Sequence, residues 1–292
     1  MIDLLSTDTP ELRQVWYADD VTASGSLIGL KKWWDNLSQV GPSFGYFVNP
    51  QKTWLVTKDN LLSSAFDIFG NSSVNITTDG RPVLGSPVGK PEYITEFVSQ
   101  KVKQWVGEIE RLAEIADSQP HAAYGAITQG VASKWSYLSR TTPDINHLLE
   151  PIENAIRTTL LPKLTGQGAP NGIERCLFSL PARLGGLNIG NPSSFANEHF
   201  IASQQVTKPL VDLILSENQN YPYETLVEQV DAKSTIKAKR RRQGLEAAEK
   251  IRESLTPPMQ LAMDLAQEKG ASSWLTALPL EEHGFTLHKT TF

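Results

Sequence analysis

Large residues crowd Leu12 to Tyr17 and return from Val21, so the intervening Ala18-Asp19-Asp20 must turn, and the pattern predicts a tight hairpin with two adjacent carboxylates on its bend. Asp favours such a bend because its side chain bonds the backbone of its own turn. From Leu27 to Val40 the apolar spacing becomes three and four. Leu27, Leu30, Trp34, Leu37 and Val40 lay one stripe along a helix, with Trp33 beside it and expected to pack. Gly41-Pro42 ends that helix. Tyr46 to Val48 then reads as a strand, Asn49-Pro50 as a turn, Thr53 to Thr57 as a second strand and Leu61 to Phe69 as a short helix. Val74 to Thr77, Asp79-Gly80 and Val83-Leu84 read as a hairpin turned at Asp-Gly, with Pro82 and Pro87 keeping its strands at an edge.

Helical periodicity dominates after Pro91. Ile94, Phe97, Val98, Val102, Trp105, Ile109, Leu112 and Ala116 follow the 3.6-residue period in a segment that closes before Pro120. A second helix carries Tyr124, Ile127, Val131, Trp135 and Leu138. A third is expected to start at Thr142 as N-cap, followed by Pro143 and Asp144, and to run through Leu160. Three such helices with short connections predict an antiparallel bundle. Thr165 to Asn191 is a Gly- and Pro-rich connector in which Leu187 and Ile189 alternate like a short strand and Gly185-Gly186 turns. Ser193 or Ser194 caps a helix toward Val206, Pro209 to Leu215 continues it, and Asn218 to Tyr223 is a polar break. Thr225 to Ser254 reads as a long, poorly amphipathic helix, and Pro257-Pro258 starts another through Glu268 with Gly270 as its C-cap.

Composition narrows the function classes. A chain of 292 residues with 40% hydrophobic content buries a sizeable core, and no apolar run approaches the length of a membrane span. The single Cys176 excludes an internal disulfide or a cysteine-rich zinc knuckle, and Met1-Ile2-Asp3 lacks the basic start of a secretory signal, so cytosol or nucleus is expected. His283 and His288 have no cysteine or acidic partner at ligand spacing. A formal net charge of −5 confines any nucleic-acid contact to a local patch. One patch stands out: Lys233, Lys237, Lys239, Arg240, Arg241 and Arg242 lie close together, a cluster suited to phosphates or to nuclear import, with a solvated helix face as the plain alternative. Adjacent carboxylates repel unless a cation neutralises them, and hard, oxygen-preferring ions such as magnesium take such ligands. Asp19 and Asp20 are therefore either metal ligands or the decoration of a solvated turn.

Tyr17-Ala18-Asp19-Asp20 in a strand-turn-strand setting resembles the catalytic hairpin in the palm of reverse transcriptases. Gly45, followed by Asn49-Pro50-Gln51-Lys52-Thr53, is similar to that family's Gly…Asn-x-x-Lys-Thr palm motif, and Leu84-Gly85 is similar to the Leu-Gly of its primer-grip hairpin. Trp33-Trp34, Gly41-Pro42 and Leu180-Pro181…Gly185-Gly186-Leu187 give the flavour of retroelements lacking long terminal repeats. The resemblance extends over essentially the whole chain. It implies an α+β fold with a partial palm over 1–90, a helical thumb over 91–165, a connector and helix over 166–220 and a C-terminal helical region over 221–292. It further implies Mg2+ or Mn2+ on Asp19 and Asp20, Lys52 as the acid for departing pyrophosphate, and a primer grip at Leu84 and Gly85. Lys101, Lys103, Lys134 and Arg140 become candidate phosphate contacts, and Lys239, Arg240, Arg241 and Arg242 the principal nucleic-acid cluster. An RNA template and a DNA primer strand are the implied partners.

In that family a further metal-binding Asp and the fingers lie upstream. Only Asp3 and Asp8 precede the pair here, so the chain reads as the part of a polymerase from the palm hairpin onward, truncated at both ends, inactive alone and a possible partner of the missing N-terminal portion. Two other readings stand beside it: a noncatalytic nucleic-acid-binding remnant, and a host interaction protein with no nucleic-acid role.

Overall fold

The computed structural model describes residues 1–216, 222–278 and 280–284. The fold is α+β and mainly helical, with three separate two-stranded sheets among the described residues. Its packing divides into two compact units, Met1–Ile94 and Thr95–Phe292. Asn218 to Tyr221 of the expected polar break, and Phe285, Leu287 and His288 of the C-terminal segment, fall outside the described residues.

In the first unit, helix α1 (Ile2–Asp8) leads into an antiparallel hairpin of β1 (Arg13–Tyr17) and β2 (Asp20–Ser24). Helix α2 (Leu27–Val40) starts at Ser26, whose hydroxyl accepts from the Gly29 N–H and so satisfies one of the orphan donors of the first turn. Trp33, Trp34 and Leu37 are buried against Leu5, Leu12, Leu55, Ala65 and Phe69, which makes α2 the centre of this unit's core. The packing expected of Trp33 is observed, and its indole N–H donates to Gln14 Oε1 at 3.0 Å. The same oxygen accepts from Trp16 at 3.1 Å, so one amide ties both indoles to the hairpin.

The small sheets depart from the sequence reading. Tyr46 to Val48 forms no strand. β3 (Trp54–Val56) pairs in parallel with β4 (Asn75–Thr77), across helix α3 (Leu62–Phe69). The hairpin that follows joins β5 (Gly80–Val83) to β6 (Ser86–Gly89), and its turn is Leu84-Gly85 rather than Asp79-Gly80. Leu84 and Gly85 have φ of 48° and 83°, the signature of a two-residue turn whose twist matches that of its strands. Only Gly takes this conformation without steric cost, so Leu84 carries the strain. Pro82 faces Pro87 across the ladder, where neither has an N–H to lose.

Helix α4 (Pro91–Ala116) buries Val98, Val102, Trp105 and Ile109, as its periodicity predicts. The second expected helix is observed as α5 (Pro120–Ala126) and α6 (Ala132–Thr141), joined through a π-helical turn at Ile127–Val131. Thr142 terminates α6 instead of capping the next helix, and Asp144 stands at φ 55° in the turn that follows. The third helical stretch therefore begins late, as α7 (Glu150–Ala155), a second π turn at Ile156–Leu160 and α8 (Leu161–Thr165). Leu149, just before it, and its residues Ile152, Ile156, Leu160 and Leu161 are fully buried.

Helix α9 (Gly172–Ser179) opens on a complete capping box between Asn171 and Glu174. Leu187 and Ile189 form no strand; their N–H groups bond back to the Phe178 carbonyl, folding residues 180–190 over the end of α9. Gly186 is needed there because a Cβ would run into the Leu180 carbonyl oxygen. Arg175 fixes the same loop: its guanidinium grips both Glu153 oxygens at 2.7 Å and donates to the Ile189 carbonyl at 2.8 Å. Helix α10 (Pro192–Leu215) packs on α6 and α11 (Tyr223–Ser254), followed by α12 (Pro257–Ala266) and the short α13 (Ser273–Thr276). Leu177, Leu180 and Leu184 pack with Ala248, Leu255 and Met263 in a satellite core. Among the described residues no helix is long and apolar enough to cross a membrane.

Candidate functional site

Tyr17 pairs with Asp20 at the end of the first hairpin, leaving Ala18-Asp19 as a two-residue turn with Asp20 already in β2. Ala18 adopts φ 52°, uncommon for a residue with a side chain and required by a tight two-residue hairpin turn. Asp19 and Asp20 are both exposed. Among the described residues neither carboxylate has an ion-pair partner.

Tyr46 is the residue at this site that sequence reasoning did not single out. Its hydroxyl donates to the Asp19 carbonyl oxygen at 3.0 Å, and its ring meets Trp16 edge to face at 5.5 Å. Burial, followed by the negative charges of Asp20 and Asp19, holds its phenol above the ordinary 10.0. The signal was the position of Tyr46 immediately after the Gly45 that stops a turn: the 3-10 segment Gly41–Phe44 returns the chain, with the Tyr46 N–H bonded to the Gly41 carbonyl.

The Asn-x-x-Lys-Thr segment folds as a capped turn. The Asn49 side chain accepts from the Lys52 N–H at 3.2 Å, and its carbonyl accepts from the Thr53 hydroxyl at 2.8 Å. Asn75 then ties the turn to β4 through the Gln51 and Thr53 carbonyls. Lys52 is exposed, and no hydrogen bond or ion pair joins it to Asp19 or Asp20. Asp3 and Asp8 lie in α1, and among the described residues no group of three or more His, Cys, Asp or Glu side chains gathers as a metal site. Leu84 and Gly85 occupy the tip of their hairpin.

The second unit gathers the basic residues differently from the sequence reading. Lys134 is ion-paired with Glu108 at 2.7 Å, and Lys101 sits 5.8 Å from the Phe97 ring centre on its own helix. Lys103 is exposed on α4. Arg140, by contrast, lines a cleft of about 990 Å³ together with Arg183, Lys233, Lys237, Arg240 and Arg241. On α11 the four cationic positions recur at i, i+4, i+7 and i+8, one helical face. Lys239 and Arg242 fall off that face, and Arg242 pairs instead with Glu246 at 3.6 Å. Comparison with models of known families, with curated proteins and with solved structures returns no match.

Proposed function

We propose that the chain works as the palm-hairpin and helical portion of a reverse transcriptase of the non-long-terminal-repeat type, acting on an RNA template paired with a DNA primer in the cytosol or nucleus. The observation that carries this reading is the Tyr17-Ala18-Asp19-Asp20 sequence on a strained two-residue hairpin turn, with both carboxylates exposed and the turn pinned by Tyr46. Magnesium or manganese fits the donor set: two hard oxygen ligands open to solvent suit an ion that keeps several waters and takes the rest of its shell from substrate phosphates. Asp19 and Asp20 would hold it. When bound, such an ion activates the primer 3′-hydroxyl and stabilises the charge on the departing pyrophosphate. Lys52 carries a proton on a flexible stem at the turn into β3, suited to protonating that leaving group. The narrow Leu84-Gly85 tip lets backbone approach the primer closely. Titration with Mn2+ tests the reading: weak, saturable binding by the wild type that disappears in Asp19→Asn/Asp20→Asn supports it, and identical curves reject it.

A second reading is a noncatalytic nucleic-acid-binding protein. The observation favouring it is the cationic cleft, which does not depend on the hairpin. Mn2+ titration beside oligonucleotide binding separates the two: Mn2+ binding lost in Asp19→Asn/Asp20→Asn selects the first reading, and oligonucleotide binding without Mn2+ binding selects the second.

A further inference from the structure

Six cationic side chains from three separate stretches of sequence converge on the cleft walled by α6, the 180–190 loop, α10 and α11. Arg140 comes from the end of α6, Arg183 from the loop that Arg175 anchors, and Lys233, Lys237, Arg240 and Arg241 from one face of α11. None of the six is ion-paired with an acid among the described residues, and no Asp or Glu lines the cleft. Six cations elsewhere, Lys31, Lys90, Lys134, Lys163, Lys208 and Arg252, each face a carboxylate. In a chain of net charge −5, an unneutralised cluster of this size is an arrangement for an external polyanion.

We propose that this cleft binds the sugar-phosphate backbone of a single nucleic-acid strand, gripping successive phosphates without reading the bases. The inference deepens the nucleic-acid-binding reading above and rests on it. The cleft volume of about 990 Å³ lies within the range that encloses a drug-sized molecule, about 300–1,000 Å³, which is room for a few nucleotides. The lining has no Phe, Tyr or Trp, its one aromatic ring being His199, and no amide or carboxylate side chain to pair with adenine or cytosine edges. What it offers is donors and apolar surface: the Ser203 hydroxyl supplements the cations, while Pro181, Ala202, Val206 and Ile236 give the sugars an apolar floor. The local field is evident at His199, whose imidazole is held below its ordinary 6.5 by burial and then by the charges of Arg240 and Arg140, against the opposing Glu198.

Fluorescence anisotropy of the full chain with labelled oligo(dT) and oligo(dA) tests this, with inorganic polyphosphate as competitor and circular dichroism as the folding control. The wild type is expected to bind both strands alike, with the logarithm of affinity falling linearly against the logarithm of salt. Arg140→Gln/Arg183→Gln, off α11, and Lys237→Gln/Arg240→Gln, on it, should each weaken binding about tenfold or more and flatten the salt slope by about 1.4, from about 0.7 per phosphate contact. Lys239→Gln/Arg242→Gln should stay near the wild type. If oligonucleotide binds but neither cleft pair matters, the cleft assignment fails while the nucleic-acid reading stands. If no form binds oligonucleotide at low salt, both fail. Binding of polyphosphate alone overturns the strand as the ligand, and a strong preference between the two oligonucleotides overturns blindness to the bases.

Discussion

The Tyr46 hydroxyl holds the backbone carbonyl of Asp19 at 3.0 Å, so the turn that presents two carboxylates is fastened from a segment beyond α2. Removing only that hydroxyl isolates its contribution. Tyr46→Phe is expected to cost about 0.5–1 kcal/mol in urea unfolding, the net worth of an exposed hydrogen bond, and to weaken Mn2+ binding, because Ala18 then loses part of what maintains its positive φ. Unchanged affinity alongside a normal fold would show that the tether does not shape the carboxylate pair.

The same phenol reports on the charges beside it. Its raised pKa means that the folded chain retains this proton above pH 10.0 while the unfolded chain releases it, so stability from this group is present below that value and declines as pH rises through the folded pKa. Asp20→Asn should move the Tyr46 pKa down toward 10.0, and a diamagnetic divalent ion on the pair should do the same, since either neutralises the charges that oppose ionisation. Carbon NMR of ring-labelled tyrosine follows this directly. A Tyr46 titration indifferent to both changes would place the carboxylates too far from the phenol to act on it.

Leu84 stands where Asn or Gly is the favoured residue, with φ 48° and half of its surface exposed. Leu84→Asn should therefore stabilise the chain by about 0.5 kcal/mol, and Gly85→Ala should destabilise it by about 1 kcal/mol, the steric cost of a Cβ in the left-handed region. Denaturant midpoints decide it. Equal and small effects at both positions would mean that the turn is not of the two-residue type.

Arg175 and Glu153 form a bidentate pair whose side chains are only 7% and 15% exposed, and Arg175 also satisfies the Ile189 carbonyl. Arg175→Ala leaves a nearly buried carboxylate without its cation, and is expected to cost about 3–5 kcal/mol. Replacing both residues, as Arg175→Met/Glu153→Leu, should cost much less than that single change. The comparison is a double-mutant cycle read by denaturation. Additive costs would remove the pair as the anchor of the loop that carries Arg183.

Local signals were the legible part of this chain. The stripe on α2, the period of α4 and the bend after Tyr17 all depend on residues within a few positions of one another. β3 and β4 were not legible as a pair because a parallel ladder has no shared turn, and its two short strands lie on either side of α3. Two Gly-containing dipeptides competed for the second hairpin. Asp79-Gly80 has the stronger turn preference, yet Leu84-Gly85 turns because it alone places Pro82 opposite Pro87. Thr142-Pro143-Asp144 looked like a helix start, but the burial of Thr142 at the end of α6 and the positive φ of Asp144 make it a turn. At the cleft, the face shared by Lys233, Lys237, Arg240 and Arg241 is written in their spacing, whereas the convergence of Arg140 and Arg183 upon it is tertiary.

On the proposed reading, Asp19 and Asp20 place a divalent ion at the end of a primer. Ferrous iron substitutes for magnesium on carboxylate oxygens and, with peroxide, cleaves whatever lies beside it. An end-labelled DNA primer annealed to an RNA template, bound to this chain and treated in that way, should be cut close to its 3′ terminus by the wild type and not by Asp19→Asn/Asp20→Asn under conditions where both proteins bind. Cleavage at the same position by the double variant, or cleavage spread evenly along the primer by the wild type, would rule out the Asp pair as the site of that ion.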